Sequence, residues 1–166
     1  MTTIDNIMEA QEYFLEHLTY INGELYWKQN AKSFFMRGKK AGSIGKDGYM
    51  CIFSRGKAHK LHRVIFIMHH GFLPNVVDHI NGNKLDNRIE NLRSASVKEN
   101  SRNSGTRPTN TSGYKGVYKA MSGKWQACIG VDYKKIYLGV FDTPELAHKV
   151  YAEAAKKHHK DFARVV

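Results

Sequence analysis

Cysteine is nearly missing from this 166-residue chain: only Cys51 and Cys128 occur, far apart and without paired spacing. That excludes a disulfide framework and a thiolate zinc knuckle, and a reducing, cytoplasmic setting is expected. Long apolar runs are missing too. No uninterrupted stretch approaches the roughly 20 residues of a membrane span, and the N-terminus lacks the basic-then-apolar order of an export signal. Acidic residues thin out after the first thirty positions. Residues 1–30 hold five acids against Lys28 alone, a local net of −4, which leaves +15 on the rest of a chain whose formal total is +11. Between 31 and 70, Lys32, Arg37, Lys39, Lys40, Lys46, Arg55, Lys57, Lys60 and Arg63 face a single acid, Asp47. Positive charge this concentrated implies a polyanionic partner, held with strong salt dependence.

What is present is globular. Apolar residues make up 42% and charged ones 25%, enough for one compact domain or two small ones. A helix is expected over 5–18, capped by Asp5, with Ile4, Ile7, Met8, Tyr13, Phe14 and Leu18 at several helical spacings. Leu25-Tyr26-Trp27 opens a strand-rich, basic stretch, and glycines at 38, 42, 45, 48 and 56 punctuate it as hairpins over 41–44, 49–54 and 58–61. Charges and aromatics alternating on such strands suit a groove along a phosphate backbone. His59 and His62 have His-x-x-His spacing, but Val64–Met68 reads as a buried helix, so a metal there is not expected. Its end is marked by His69-His70-Gly71, imidazoles and glycine both being favourable at a helix C-terminus.

The most informative stretch runs from Val77 to Asn100. Val76-Val77 and the residues to Ile80 suit a short strand, Asn81-Gly82-Asn83 a turn, and Asn91-Leu92-Arg93 a brief return strand after a polar loop. Ser96-Val97-Lys98-Glu99 fits a capping box, which places Asn100 in the first turn of a short helix, an end that favours phosphate. Asp78 and His79 on a strand, with Asn100 on a helix, would offer a cation two oxygen donors beside an imidazole.

Asp78-His79, Asn91 and Asn100 resemble the motif of the His-Asn-His nucleases, with twelve residues from His79 to Asn91 and nine more to Asn100. Val77-Asp78-His79-Ile80-Asn81-Gly82-Asn83 with Asn91-Leu92 is similar to the phage homing-endonuclease branch. The resemblance implies an N-terminal ββα-metal nuclease domain over 1–100. In it His79 is the general base, Asp78 and Asn100 hold the metal, and Asn91 braces the loop as part of the catalytic set. Asp and Asn stand where other members carry His, so the ligand set is all oxygen, which suits Mg²⁺ or Mn²⁺ better than Zn²⁺. His62-Arg63 resembles the residues ahead of the hairpin in the same family, where Arg63 contacts DNA and His62 packs or hydrogen-bonds.

Residues 101–112 are polar and Gly/Pro-punctuated, a linker composition. Beyond them a strand is expected over 114–118, a turn at 121–123, and alternating strands over 124–131 and 135–141. In the last of these Ile136, Leu138 and Val140 are expected to face inward. Thr143-Pro144-Glu145 starts a helix as N-cap, N1 proline and first-turn acid, with Leu146, Val150 and Ala154 beside Ala147, Tyr151 and Ala155 as its apolar stripe. Tyr114-Lys115-Gly116-Val117, Gly123-Lys124-Trp125, Tyr137-Leu138-Gly139, Phe141-Asp142-Thr143 and Glu145-Leu146-Ala147 resemble the Apetala-type (ethylene-response-factor) DNA-binding domain. The resemblance implies a three-stranded antiparallel sheet packed on one helix over 113–166, with Lys115, Lys124, Lys135, Tyr137 and Tyr151 toward DNA. Tyr118, Ala120, Cys128 and Gly130 stand where plant members carry arginines or other reading side chains, so the plant target sequence does not carry over.

The expectation is therefore an α+β, two-module DNA endonuclease using one divalent cation, Mg²⁺ or Mn²⁺, on double-stranded DNA. It would be a homing or nicking enzyme, a monomer or weak homodimer, away from membranes and in the host-cell cytoplasm if phage-encoded. The alternative is a non-catalytic, sequence-specific DNA-binding regulator built from the same parts.

Overall fold

The computed structural model describes residues 3–31, 33–106 and 109–165, with residues 3–6 given by backbone alone. Lys32, the Arg107-Pro108 pair of the expected linker, and the side chains of Ile4 and Asp5 lie outside the described residues. The chain divides into two compact units, Met1–Ser96 and Val97–Val166.

The first unit begins with α1 (Thr3–His17), which starts two residues ahead of Asp5. β1 (Leu18–Ile21), β2 (Glu24–Trp27) and β3 (Lys40–Ala41) follow as an antiparallel sheet in that order. The β1–β2 turn is Asn22-Gly23, with both φ angles positive (46° and 87°), the geometry that matches the twist of a tight hairpin. The strand expected over 41–44 is split in two. Gly42 has φ 103°, and a Cβ there would sit 2.9 Å from the Cys51 carbonyl oxygen, so glycine lets the chain cross from one sheet to the next. Beyond it, β4 (Ser43–Ile44), β5 (Met50–Ser54) and β6 (Lys57–Lys60) form a second antiparallel sheet.

Leu61 opens the helix α2 (Leu61–His70) rather than ending a strand. Leu61 and Val64–Met68 are all buried, packed in one cluster with Phe14, Leu18, Leu25 and Ile52. An all-round apolar sequence is what such a wrapped helix requires. Gly71 closes it in the left-handed conformation (φ 71°), its amide donating to the Ile67 carbonyl. β7 (Val76–His79) and β8 (Leu92–Ala95) then pair antiparallel, from Val76 opposite Ala95 to His79 opposite Leu92. The return strand starts one residue later than expected, because Asn91 closes a 3₁₀ turn, Ile89–Asn91.

The second unit opens with α3 (Val97–Asn103), directly after Ser96. Lys98 and Arg102 on α3 pair with Asp132, and the Lys115 ammonium donates to the carbonyls of Arg102 and Ser104. These ties place α3 in this unit, and the division falls ahead of the 101–112 segment. β9 (Val117–Lys119), β10 (Trp125–Val131) and β11 (Lys134–Phe141) form an antiparallel sheet with β10 central. α4 (Pro144–His159) covers one face with Ala147, Tyr151 and Ala155 buried. β9 begins at Val117 rather than Tyr114, since Gly113 and Gly116 both take positive φ, which is turn rather than strand geometry.

Two sidedness expectations are corrected here. Ala127 opposes Gly139 while Cys128 opposes Tyr137, a bulge that leaves Leu138 as the extra residue and reverses the alternation beyond it. Val140 is therefore exposed and Phe141 packs against the core. On α4, the Thr143 hydroxyl accepts from the Leu146 amide and holds Leu146 in the exposed first turn, away from the stripe. No helix among the described residues is long and apolar enough to cross a membrane.

Candidate active site

Asp78 and His79 end β7 and are both about 5% exposed. A buried carboxylate needs a partner, and the cross-strand register supplies one: Arg93 lies opposite Asp78. Its Nε donates to Asp78 Oδ2 at 2.8 Å and its Nη2 lies 2.8 Å from the same oxygen. His79 is held by its ring. Its Nε2 lies 3.1 Å from Asn87 Oδ1, and Asn87 is 2% exposed in the loop between the strands.

That loop is braced by Asn91. Its Nδ2 donates to Asn81 Oδ1 (3.0 Å) and to the Asp86 carbonyl (2.7 Å), while its Oδ1 accepts from the Asn81 amide (3.0 Å). Asp86 takes two guanidinium bonds from Arg88 and one from Asn81, which hold its carboxyl well below the usual carboxylate range. The first sheet supports the loop from behind. Tyr20 Oη accepts from the Ile89 amide at 3.0 Å, and Gly23 packs on the backbone of Asn87 and Arg88 so closely that a Cβ would lie 2.8 Å from the Arg88 nitrogen.

His62 and Tyr49 complete the wall around His79. The His62 and His79 ring centroids are 4.8 Å apart, and Tyr49 lies 5.2 Å from His62 and 6.0 Å from His79. Burial pushes the His62 imidazole down to about 3, aided by the His79 and Arg63 charges, so it stays neutral around neutral pH. Lys84 and Lys60 lie over the Tyr49 ring at 4.6 and 5.2 Å, and both also bind Asp47. Tyr49, Asn87 and Arg93 escaped the sequence reading of the site. Only the position of Arg93 across a hairpin from Asp78 could have been found from spacing.

The other expected site residues are dispersed. Asn100 is exposed on α3 and belongs to the second unit. Arg63 is half-buried with Nη1 donating to the Asn75 carbonyl at 3.1 Å. In the second unit Tyr151 is 3% exposed, packed with Ile129 and Ala155, and burial pushes its phenol up to about 12. A side chain so enclosed presents no surface to a nucleic acid, which corrects that assignment. Lys115 is half-buried against two carbonyls, and burial brings its ammonium down to about 8; it too is turned inward. Lys124 is exposed and paired with Asp142 at 2.7 Å. Lys135 lies over the Tyr118 ring at 5.1 Å, and Tyr137 is 60% exposed.

A model of the HNH endonuclease family matches residues 59–102, the stretch from β6 to α3 that contains Asp78, His79, Asn91 and Asn100. The chain is 33% identical over 123 residues to the uncharacterised HNH endonuclease L560 of Acanthamoeba polyphaga mimivirus, covering 72% of this chain and 63% of that protein. It is 32% identical over 111 residues to Protein 3.8 of Escherichia phage T7, covering 65% of this chain and 91% of the phage protein. An HNH endonuclease domain is thus matched within residues 59–102 of the chain. The chain spans about 63% of the length of the mimivirus relative. A solved structure titled for DNA binding and cleavage by the HNH homing endonuclease I-HmuI is 24% identical, covering 87% of this chain and 86% of that one at a TM-score of 0.41. The family match ends at residue 102, so β9–β11 and α4 lie outside it.

HNH nucleases work with a divalent cation, and the donor chemistry here fits a hard one. Asp78 supplies a buried carboxylate. Among the described residues no group of three or more His, Cys, Asp or Glu gathers as a metal cluster.

Proposed function

We propose that this protein is a metal-dependent hydrolase of DNA phosphodiester bonds, of the homing or nicking kind, with one active site around His79. The observation that carries the reading is a buried imidazole, adjacent to a buried carboxylate, both held by hydrogen bonds on one rigid hairpin. In this reading the ββα-metal motif is carried by the sequence from Asp78 to Asn100. His79 takes a proton from water, and the water oxygen attacks phosphorus in line with the departing 3′ oxygen. Asp78 and Asn100 would hold Mg²⁺ or Mn²⁺, which when bound neutralises charge developing on the phosphate; Asn100 enters through its place in the motif. Asn91 and Arg93 keep loop and carboxylate in register. Arg63 and the exposed face of the second sheet, with Lys124, Lys135 and Tyr137, would contact duplex DNA in the manner of an Apetala-type module. One site attacks one strand, so a monomer nicks, and paired cuts need a weak dimer.

The test is supercoiled plasmid, including relatives' genomic DNA cloned into it, incubated with Mg²⁺ or Mn²⁺. Wild type should convert it to the open circle. His79→Ala and Asp78→Ala should leave it supercoiled, as should EDTA, while all retain duplex binding. Equal nicking by wild type and His79→Ala would sink the reading. Binding without nicking on every substrate would leave a non-catalytic DNA-binding regulator instead.

A further inference from the structure

Phe34 and Phe35 stand out from the surface of the first unit, 74% and 78% exposed, followed by Met36 at 41%. They form a 3₁₀ turn, Phe34–Met36, in the connection between β2 and β3. Single apolar side chains at a surface are ordinary, but a contiguous patch of them marks a contact site.

The turn is firmly held. At its base the Gly38 amide donates to the Trp27 carbonyl and the Trp27 amide to the Lys39 carbonyl. Within it the amides of Met36, Arg37 and Lys39 donate to the carbonyls of Ser33, Phe34 and Met36, and Arg37 Nε donates to the Ala31 carbonyl at 3.1 Å. A backbone so tied presents the rings in a fixed place and has little freedom left to lose on binding. The same sheet docks on the active-site loop at its other end, through Tyr20 and Gly23.

Size and charge choose among partners. Two phenyl groups at these exposures offer roughly 300 Å², well under the ~800 Å² per side of a stable protein interface. The Arg37 guanidinium lies 5.6 Å from the Phe34 ring centroid, and Lys39, two residues on, is exposed. A small apolar tip beside cations matches duplex DNA, where phosphates flank a stack of flat bases and where side chains such as Phe part a base step. The two rings stand at 81° with centroids 6.2 Å apart, so both cannot lie flat in one gap. Phe34 is the ring beneath Arg37, which leaves Phe35 to enter.

We propose that Phe35 is a wedge that enters a base step of the duplex, with Phe34 braced against the groove wall and Arg37 on the neighbouring phosphate. The inference rests on the reading that the protein binds duplex DNA. A parted step kinks the duplex, and pyrimidine–purine steps part most easily. The first sheet therefore bends the substrate and favours such steps without touching a base edge.

The test uses the full chain in EDTA with a short duplex carrying a central TpA step, its adenine replaced by 2-aminopurine, and the same duplex bulged at that step. Wild type should brighten the 2-aminopurine. It should also bind the bulged duplex about tenfold more tightly than the intact one, because the bulge has already lost the stacking that a wedge must break. Phe35→Ala should abolish the brightening and the preference, while its affinity for the intact duplex, set by phosphate contacts, changes little. Phe35→Leu, still an apolar wedge, should keep both signals. The position is exposed, so both variants should melt with wild type. Wild-type signals in Phe35→Ala, or wild type that binds with neither brightening nor preference, overturn the wedge alone. Wild type that binds neither duplex overturns the duplex reading as well. Phe35-dependent binding to phosphatidylcholine–phosphatidylserine vesicles, with DNA signals indifferent to Phe35, would assign the rings to a lipid surface and overturn the proposal.

Discussion

At the scale of single residues, the site is built on buried polar groups, and two of them give direct tests. His62 is buried beside His79 and held neutral, its imidazole pushed down to about 3 from an ordinary 6.5. Above 6.5 it is neutral in folded and unfolded chains alike and contributes no pH dependence. Between 6.5 and about 3 the unfolded chain binds a proton that the folded one does not, so stability must fall as pH falls through that window. His59 and His159 are shifted the same way. The denaturation midpoint should therefore drop between pH 7 and 4.5, and His62→Phe should make the drop shallower by one histidine's share; an unchanged slope would refute the assignment. Asn91→Ala removes three hydrogen bonds and strands the Asn81 amide and the Asp86 carbonyl. Chemical denaturation should show a loss of about 3 kcal/mol, with nicking lost even where the protein stays folded.

At the scale of elements, legibility followed how local the signal was. The α4 start was readable because Thr143, Pro144 and Glu145 act within one turn of each other, and the α2 end because Gly71 needs only its own backbone freedom. The β7–turn–β8 order was readable from Asn81-Gly82-Asn83 and the flanking β-branched residues. What failed depended on distant partners. Period-2 alternation put Val140 inward, but the bulge at Leu138, set by pairing with β10, turned Phe141 inward instead. Tyr151 sits in the apolar stripe read from the sequence, yet the Apetala-type resemblance set it toward DNA, because nothing nearby shows that Gly116 leaves a hollow for its ring. That hollow is real: a Cβ at Gly116 would come 2.2 Å from the Tyr151 ring and 2.8 Å from the Cys128 carbonyl, at φ 74°. Gly116→Ala should therefore force the ring out and cost the second unit about 2–4 kcal/mol, seen as a lowered thermal midpoint. A melt that matches wild type would mean the ring has somewhere else to go. Asn87 was invisible for the same reason as Gly116, since its role exists only once His79 is folded against it.

At the scale of the whole molecule, charge decides how the protein meets its partner, but only the cations that face solvent count. The chain holds 26 Lys and Arg against 15 Asp and Glu, yet the structure spends some of them internally. Arg93 is consumed by Asp78, and Lys115 by the carbonyls of Arg102 and Ser104. Lys135 is different, exposed over Tyr118 beside an exposed Tyr137, an arrangement that can meet phosphate and a flat ring together. Duplex binding measured by anisotropy in EDTA, across a salt series, separates these classes. Each phosphate contact contributes about 0.9 to the slope of log K against log salt. Lys135→Ala should lower that slope by about one, while Lys115→Met should leave it unchanged and lower only thermal stability. Because every Lys or Arg adds equally to the formal charge, net charge alone predicts the same slope for both variants. If both reduce the slope equally, the inward-turned lysine is free in solution and the surface has to be redrawn; if neither does, the second sheet is not where this protein holds duplex DNA.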